Sequence, residues 1–195
     1  MERIGVYCAS SFGSNPSFLR GAQKLGTLLG ERGITLVYGG AQVGLMGAVA
    51  DAVLATGGQV IGVIPESMIQ HEVAHTGLHD LRIVGSMHER KALMADLSDA
   101  FLALPGGYGT MDETFEILTW AQLGLHNKPC VLCNLDGYYD ALLSYLDSMV
   151  VGGLVGPAHR ALAMDAPDPA SAIAALENAV STMSSGPTKW DQSNI

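Results

Sequence analysis

The chain is poor in charge and poorest in positive charge. Lysine and arginine together number only 10 against 19 acidic residues, a formal net charge of −9. A protein that tracks a nucleic-acid backbone needs a basic face, and there is little here to build one, so nucleic acid is excluded as an expected partner. Cysteine is also scarce: Cys8, Cys130 and Cys133 are the only three. An odd, small number argues against a disulfide framework and for free thiols in a reducing, cytoplasmic setting. Long apolar runs are missing, which excludes a membrane helix. The first apolar stretch, in MERIGVYCASSFG, is too short for a secretory leader. Disorder is excluded too, because 48% of residues are hydrophobic and only 15% are charged.

What the chain does have is glycine, 24 in 195 residues, and a regular alternation. Short apolar runs at 4–9, 34–38, 59–64, 82–84, 99–104 and 129–135 read as strands. Amphipathic segments at 16–32, 45–56, 88–97, 110–123 and 138–150 read as helices. Such alternation predicts βαβ units: a single α/β, Rossmann-like, doubly wound domain over residues 1–183, with a mostly parallel sheet and helices on both faces. The polar stretch 184–195 reads as a loose tail. Ligands in such folds bind beyond the carboxyl ends of the strands, which singles out the loops after Ala9, Tyr38 and Leu104.

The third of these loops carries the strongest signal, LPGGYGTMDE at 104–113. It follows a buried strand and opens a helix. Its glycines let backbone N–H groups turn toward an anion, the helix N-terminus adds partial positive charge, and Thr110 adds a hydroxyl. That is a way to hold phosphate without many lysines. The plain alternative is a glycine turn with no ligand. The spacing matches neither a Walker loop nor the dinucleotide fingerprint. Glu113 and Glu116 share one helix face. Glu113, favoured as a carboxylate by about 0.3–1 kcal/mol near the helix start, is either a charged base or cation stabiliser, or a helix acid without a task. In MHERK at 87–91, Arg90 and Lys91 are adjacent. Arg90 either forks onto phosphate or carboxylate, or forms an exposed helical ion pair. The segment YGGAQVGLMG at 38–47 either approaches the ligand or only packs a helix on the sheet.

Other signals are weaker. His71-Glu72-Val73-Ala74-His75 has the spacing of a zinc-protease helix, but it follows Pro65 in a connection, and Leu81 stands where a third ligand would fall. No metal site is expected. Cys130 and Cys133 lie in an apolar strand, where positions three apart face opposite ways, so a redox pair is not expected.

Taken together, PGGYGTMDE, MHERK and YGGAQVGLMG resemble the LOG ("Lonely Guy") family, the cytokinin riboside 5′-monophosphate phosphoribohydrolases, also labelled possible lysine decarboxylases. The resemblance covers roughly residues 4–155. PGGYGTMDE matches the pattern PGGxGTxxE, and the third segment matches GGGxxGLMG except that Ala41 replaces a glycine. The resemblance implies a Rossmann-like fold, a homodimer, no organic cofactor, and cleavage of a nucleoside 5′-monophosphate, AMP or an N6-substituted relative, to free base and ribose 5-phosphate. It implies Arg90 and Glu113 as catalytic. It implies Gly106, Gly107, Tyr108, Gly109, Thr110, Met111 and Asp112 as the phosphate and ribose loop. It implies Glu72, Lys91 and Thr119 as further substrate contacts. The decarboxylase label fits poorly: a pyridoxal enzyme needs a Schiff-base lysine, and of the four lysines (Lys24, Lys91, Lys128 and Lys189) only Lys91 stands in a plausible site. The competing reading is a non-catalytic carrier of a nucleotide or nucleotide-type cofactor.

Overall fold

The computed structural model describes residues 1–69 and 74–182. Seven strands form one sheet in the order β4-β3-β2-β1-β5-β6-β7, every pair parallel. They are β1 (Arg3–Tyr7), β2 (Thr35–Tyr38), β3 (Val60–Pro65), β4 (Asp80–Val84), β5 (Ala100–Ala103), β6 (Cys130–Cys133) and β7 (Ala163–Ala166). The helices are α1 (Pro16–Glu31), α2 (Gly44–Ala55), α3 (Met87–Leu97), α4 (Tyr108–Gln122), α5 (Asp140–Val151), α6 (Pro157–Arg160) and α7 (Pro169–Ser181).

Parallel strands covered on both faces read as continuous apolar runs, and the inner strands here are buried nearly throughout. Alternate strand residues feed two cores. Ile4, Val6, Leu36, Leu102 and Val131 pack with Leu25 and Leu29 of α1, Val49 and Val53 of α2, and Ile173 of α7. Tyr7, Val37, Val63 and Phe101 pack on the other face with Met94 of α3 and Ile117 of α4. Cys133 belongs to the first core and Cys130 to the second, so the two thiols do face opposite ways.

Local chemistry sets the helix ends. Asn15 caps α1 by accepting from the Ser17 N–H at 3.0 Å, Pro16 supplies the first-turn φ, and Gly33 turns the chain out at φ +67°. Strand order runs outward from β1 to β4, then restarts at β5 on the other side of β1. The carboxyl ends of β1 and β5 therefore flank a topological switch point, where an open α/β sheet leaves a crevice. Among the described residues no helix is long and apolar enough to cross a membrane.

Candidate active site

A cleft of about 320 Å³ opens at that switch point. Its lining comes from five segments. Cys8, Ala9, Ser10 and Ser11 follow β1; Gly107, Tyr108, Gly109, Thr110, Asp112 and Glu113 follow β5; Met87 and Arg90 come from α3, with Met46 and Met68 completing the lining.

The glycine loop is built as its sequence requires. Gly107 is the N-cap of α4 and supplies no side-chain bond, and the first-turn N–H groups have no partner within a helix. A Cβ at Gly106 would collide with the Thr110 side chain, whereas at Gly107 or Gly109 it would meet nothing. Gly106 is thus needed for packing, and the other two keep the rim open. Tyr108 stands on the rim 98% exposed.

Arg90 is placed by the start of α3. The Ser86 hydroxyl accepts from the Glu89 N–H at 3.1 Å, and the Glu89 carboxylate accepts from the Gly85 N–H at 2.8 Å. This variant of a capping box fixes the first turn and aims Arg90 inward. There Arg90 Nη2 meets Glu113 Oε1 at 3.3 Å, with both side chains buried. The exposed-ion-pair alternative for Arg90 is therefore removed. Gly39 makes room for it, since a Cβ there would strike the guanidinium. The Met68 and Met87 sulfurs lie 3.8 and 4.0 Å from Nη1. The floor of the cleft is a buried ion pair and its walls are thioethers.

The neighbouring pair repeats the pattern one step outward. Lys91 Nζ bridges Asp112 at 3.2 Å and Glu116 at 3.0 Å. Burial alone would lower the Lys91 ammonium, but the bonds to Glu116 and Asp112 outweigh it and raise its pKa. Arg90 and Lys91 of α3 thus engage Glu113 and Glu116 of α4. Cys8 beside the cleft is held as a thiol, since burial and then the Glu113 charge push its pKa well up while Arg90 opposes.

Not every implied contact gathers here. Lys91, Gly106, Met111 and Thr119 do not line this cleft. The Thr119 hydroxyl donates to the Phe115 carbonyl at 2.7 Å, and Met111 and Thr119 line an outer groove along α4. Glu72 and His71, like the tail 184–195, lie outside the described residues. His75, the end of the zinc-like pattern, is committed elsewhere: Nε2 lies 3.0 Å from Asp51, and Nδ1 accepts from the Gly77 N–H at 3.1 Å. The segment at 38–47 mainly packs. The N–H groups of Leu45 and Met46 donate to the Ala9 carbonyl at 3.1 and 3.4 Å, which occupies the start of α2. Ser10, Ser11 and Met68 are cleft residues that no local pattern marked, although the loop after Ala9 was legible as a strand end; Met46 and Met87 stand inside YGGAQVGLMG and MHERK, where neither was given a role of its own.

Comparisons with known proteins bear on the family of the chain. A family model described as "Possible lysine decarboxylase" matches residues 46–176. A probable cytokinin riboside 5′-monophosphate phosphoribohydrolase of Oryza sativa subsp. japonica is 52% identical over 179 residues, covering 92% of this chain and 79% of the relative. A cytokinin riboside 5′-monophosphate phosphoribohydrolase of Rhodococcoides fascians is 49% identical over 178 residues, covering 91% and 90%. One of Arabidopsis thaliana is 47% identical over 176 residues, covering 90% and 81%. Among solved structures, the molybdenum cofactor carrier protein of Chlamydomonas reinhardtii shares the fold at 24% identity, with a TM-score of 0.71 and coverage of 93% and 99%. Identity near one half over most of the chain, in both plant and bacterial relatives, decides the matter: the chain belongs to the LOG family of cytokinin riboside 5′-monophosphate phosphoribohydrolases.

Proposed function

We propose that this chain hydrolyses the N-glycosidic bond of an N6-substituted adenosine monophosphate of the cytokinin type, or of AMP itself, releasing the free base and ribose 5-phosphate. The observation that carries this reading is the buried Arg90–Glu113 pair at the floor of a cleft whose rim is a helix N-terminus. The rim residues 107–110 take the phosphate. The ribose then hangs over Glu113. As the C1′–N bond breaks, the sugar becomes oxocarbenium-like, and the Glu113 carboxylate stabilises that cation. The oxygen of a water adds to C1′, and the proton balance closes on the departing base nitrogen. Arg90 holds Glu113 in place, and its charge offsets what develops on the leaving base. Met46, Met68 and Met87 give the base and its substituent adaptable apolar walls. Binding energy gained at the phosphate, away from the broken bond, holds the sugar in reacting geometry.

A homodimer and a cytoplasmic setting complete the proposal. Val151 and Leu154, 90% and 82% exposed at the end of α5, offer apolar surface to a second copy. Three buried free thiols suit a reducing compartment. Light scattering of the purified chain tests the dimer.

The activity test is incubation with AMP and with N6-substituted AMP, the products separated by chromatography. Base and ribose 5-phosphate in equal amounts, lost in Glu113→Gln, support the proposal. Nucleotide recovered intact and tightly retained by the protein would replace it with the carrier reading.

A further inference from the structure

Two adjacent tyrosines just before α5 bind the glycine loop from behind. The Tyr138 hydroxyl donates to the Gly106 carbonyl at 2.6 Å, and the Tyr139 hydroxyl donates to the Leu104 carbonyl at 2.6 Å. The carbonyl between them, Pro105, accepts from the Ala9 N–H at 3.3 Å. The next one, Gly107, accepts from the Met111 N–H at 3.1 Å. Four successive carbonyls of the loop are thus each occupied by a donor from the protein. A free carbonyl oxygen facing the cleft would repel an anion, and none of these four is free to turn there.

The consequence for the amides is stereochemical. A trans peptide is planar, so the N–H of residue 107 points opposite to the carbonyl of residue 106. No cis peptide occurs among the described residues. Fixing the Gly106 oxygen toward Tyr138 therefore fixes the Gly107 N–H in the reverse direction, at a residue that lines the cleft. Glycine at 106 and 107 gives the chain no stiffness of its own here, so the orientation must be imposed from outside. We infer that Tyr138, backed by Tyr139, is a positioning residue that sets the peptide planes of the glycine loop for binding the phosphate.

The support beneath the tyrosines is rigid. The Asn134 side chain accepts from the Tyr139 N–H at 2.7 Å and donates to Asp140 at 2.8 Å. Asp136, in the left-handed region at φ 51°, accepts from the Asn15 side chain at 3.1 Å, which ties the turn to the cap of α1. The Tyr138 ring lies edge-on between Phe18 and Tyr139, with centroids at 5.2 and 4.9 Å. Replacing the hydroxyl by hydrogen leaves this packing intact. Tyr138 is also 42% exposed, so Tyr138→Phe separates the bond from the fold.

The brace rests on the anion cradle proposed above, and the experiment keeps the two apart. Ribose 5-phosphate and adenine are titrated calorimetrically into the full chain and its Tyr138→Phe variant, and nucleotide turnover is followed in parallel. The expected result is ribose 5-phosphate affinity weaker by roughly three- to tenfold, the scale of one hydrogen bond. Adenine affinity and melting temperature stay unchanged, and kcat/KM falls by at least the factor lost in ribose 5-phosphate affinity. Unchanged ribose 5-phosphate affinity, or equal losses for both ligands, overturns the brace while leaving hydrolysis standing. A selective loss in a protein that cleaves nothing leaves the brace and removes the hydrolase reading. If the unsubstituted chain binds neither ribose 5-phosphate nor inorganic phosphate, cradle and brace fall together.

Discussion

Arg90 and Glu113 meet at 3.3 Å from opposite helices, and each is more than nine-tenths buried. Taking two charges out of water is expensive, and a buried pair often contributes little net stability. Its presence at the floor of a cleft is better explained by chemistry than by folding. Removing one partner leaves the other charge buried. Arg90→Met is therefore expected to cost on the order of 3 kcal/mol, and the double variant Arg90→Met/Glu113→Gln to lose less than the sum of the singles. Urea titration of the three variants measures this. Strict additivity would show that the two residues do not act as a pair. All three should lose turnover by at least about a hundredfold.

Gly39 offers a test of position without a change of charge. A Cβ there would strike the Arg90 guanidinium and push it off the buried Glu113 carboxylate. Gly39→Ala should keep the fold but lower its melting temperature, by less than Arg90→Met does, because the shifted charge stays nearby. The displaced guanidinium no longer holds Glu113, so kcat is expected to fall by about ten- to a hundredfold, the scale of an ångström of misplacement. Full activity in this variant would show that the Arg90 position is not critical.

Gly44 and Gly57 separate backbone strain from collision. Both have positive φ, +57° and +76°. A Cβ at Gly57 meets nothing, whereas at Gly44 it enters the backbone of Ser10 and Ser11. Gly57→Ala is expected to cost about 1–2 kcal/mol, the left-handed penalty alone. Gly44→Ala should cost clearly more, because neither α2 nor the strand-end loop can yield without losing the bonds to Ala9. Equal losses in thermal or denaturant unfolding would contradict the close approach.

The same close approach marks how far the amino-acid pattern could be read. The alternation of apolar runs with amphipathic segments located the elements as far as α5, because buried parallel strands and helix faces leave distinct periods. The first strand was expected to reach Ala9, but it ends at Tyr7. Cys8 and Ala9 are as apolar as a strand, yet Ala9 spends both its backbone groups on Pro105 and on the start of α2. Between 151 and 183 no strand or helix was assigned. β7 is four residues with an exposed Asp165, too short and too polar to show a period. The Asp168-Pro169 cap of α7 was a usable helix-start signal. In the site, the glycine loop and the positions Arg90 and Glu113 stood out as a glycine run, adjacent basic residues and a helix-start acid, whereas the buried pairing of the two did not. The methionine walls were not assigned, since Met46, Met68 and Met87 converge only once α2, α3 and the turn after β3 are packed.

Burial governs the three thiols. It pushes Cys130 and Cys133 up to about 12, with the Asp168 charge adding to Cys133, and it raises Cys8 as well. The thiolate is the reactive form, so at pH 8 the folded chain should release almost no thionitrobenzoate from a disulfide reagent, and the unfolded chain should release the amount due to three thiols. Rapid release of one equivalent from the folded chain would mean that Cys8 opens to the cleft as a thiolate.

Asp168 gives the fold a defined dependence on acid. Its carboxylate accepts from the Ser171 N–H at 3.0 Å, the Ser171 hydroxyl at 2.8 Å and the Ala170 N–H at 2.9 Å. Bonding from Ser171, first through its backbone and then its hydroxyl, lowers the carboxyl below its ordinary 3.8; burial opposes weakly and Ala170 adds to the lowering. The unfolded chain therefore takes up this proton at a higher pH than the folded one. The contribution to stability is complete above the ordinary value and is lost as pH falls through the lowered, folded-state value. Asp168→Ala should cost about 1 kcal/mol at pH 7, the usual worth of a helix N-cap, and less at pH 3. Asp168→Asn, an equally good cap that does not titrate, should match the unsubstituted chain at pH 7 and lose less on acidification. Urea unfolding at the two pH values measures all three chains. A deficit of Asp168→Ala that is identical at pH 7 and pH 3 would show that the cap does not depend on the charge.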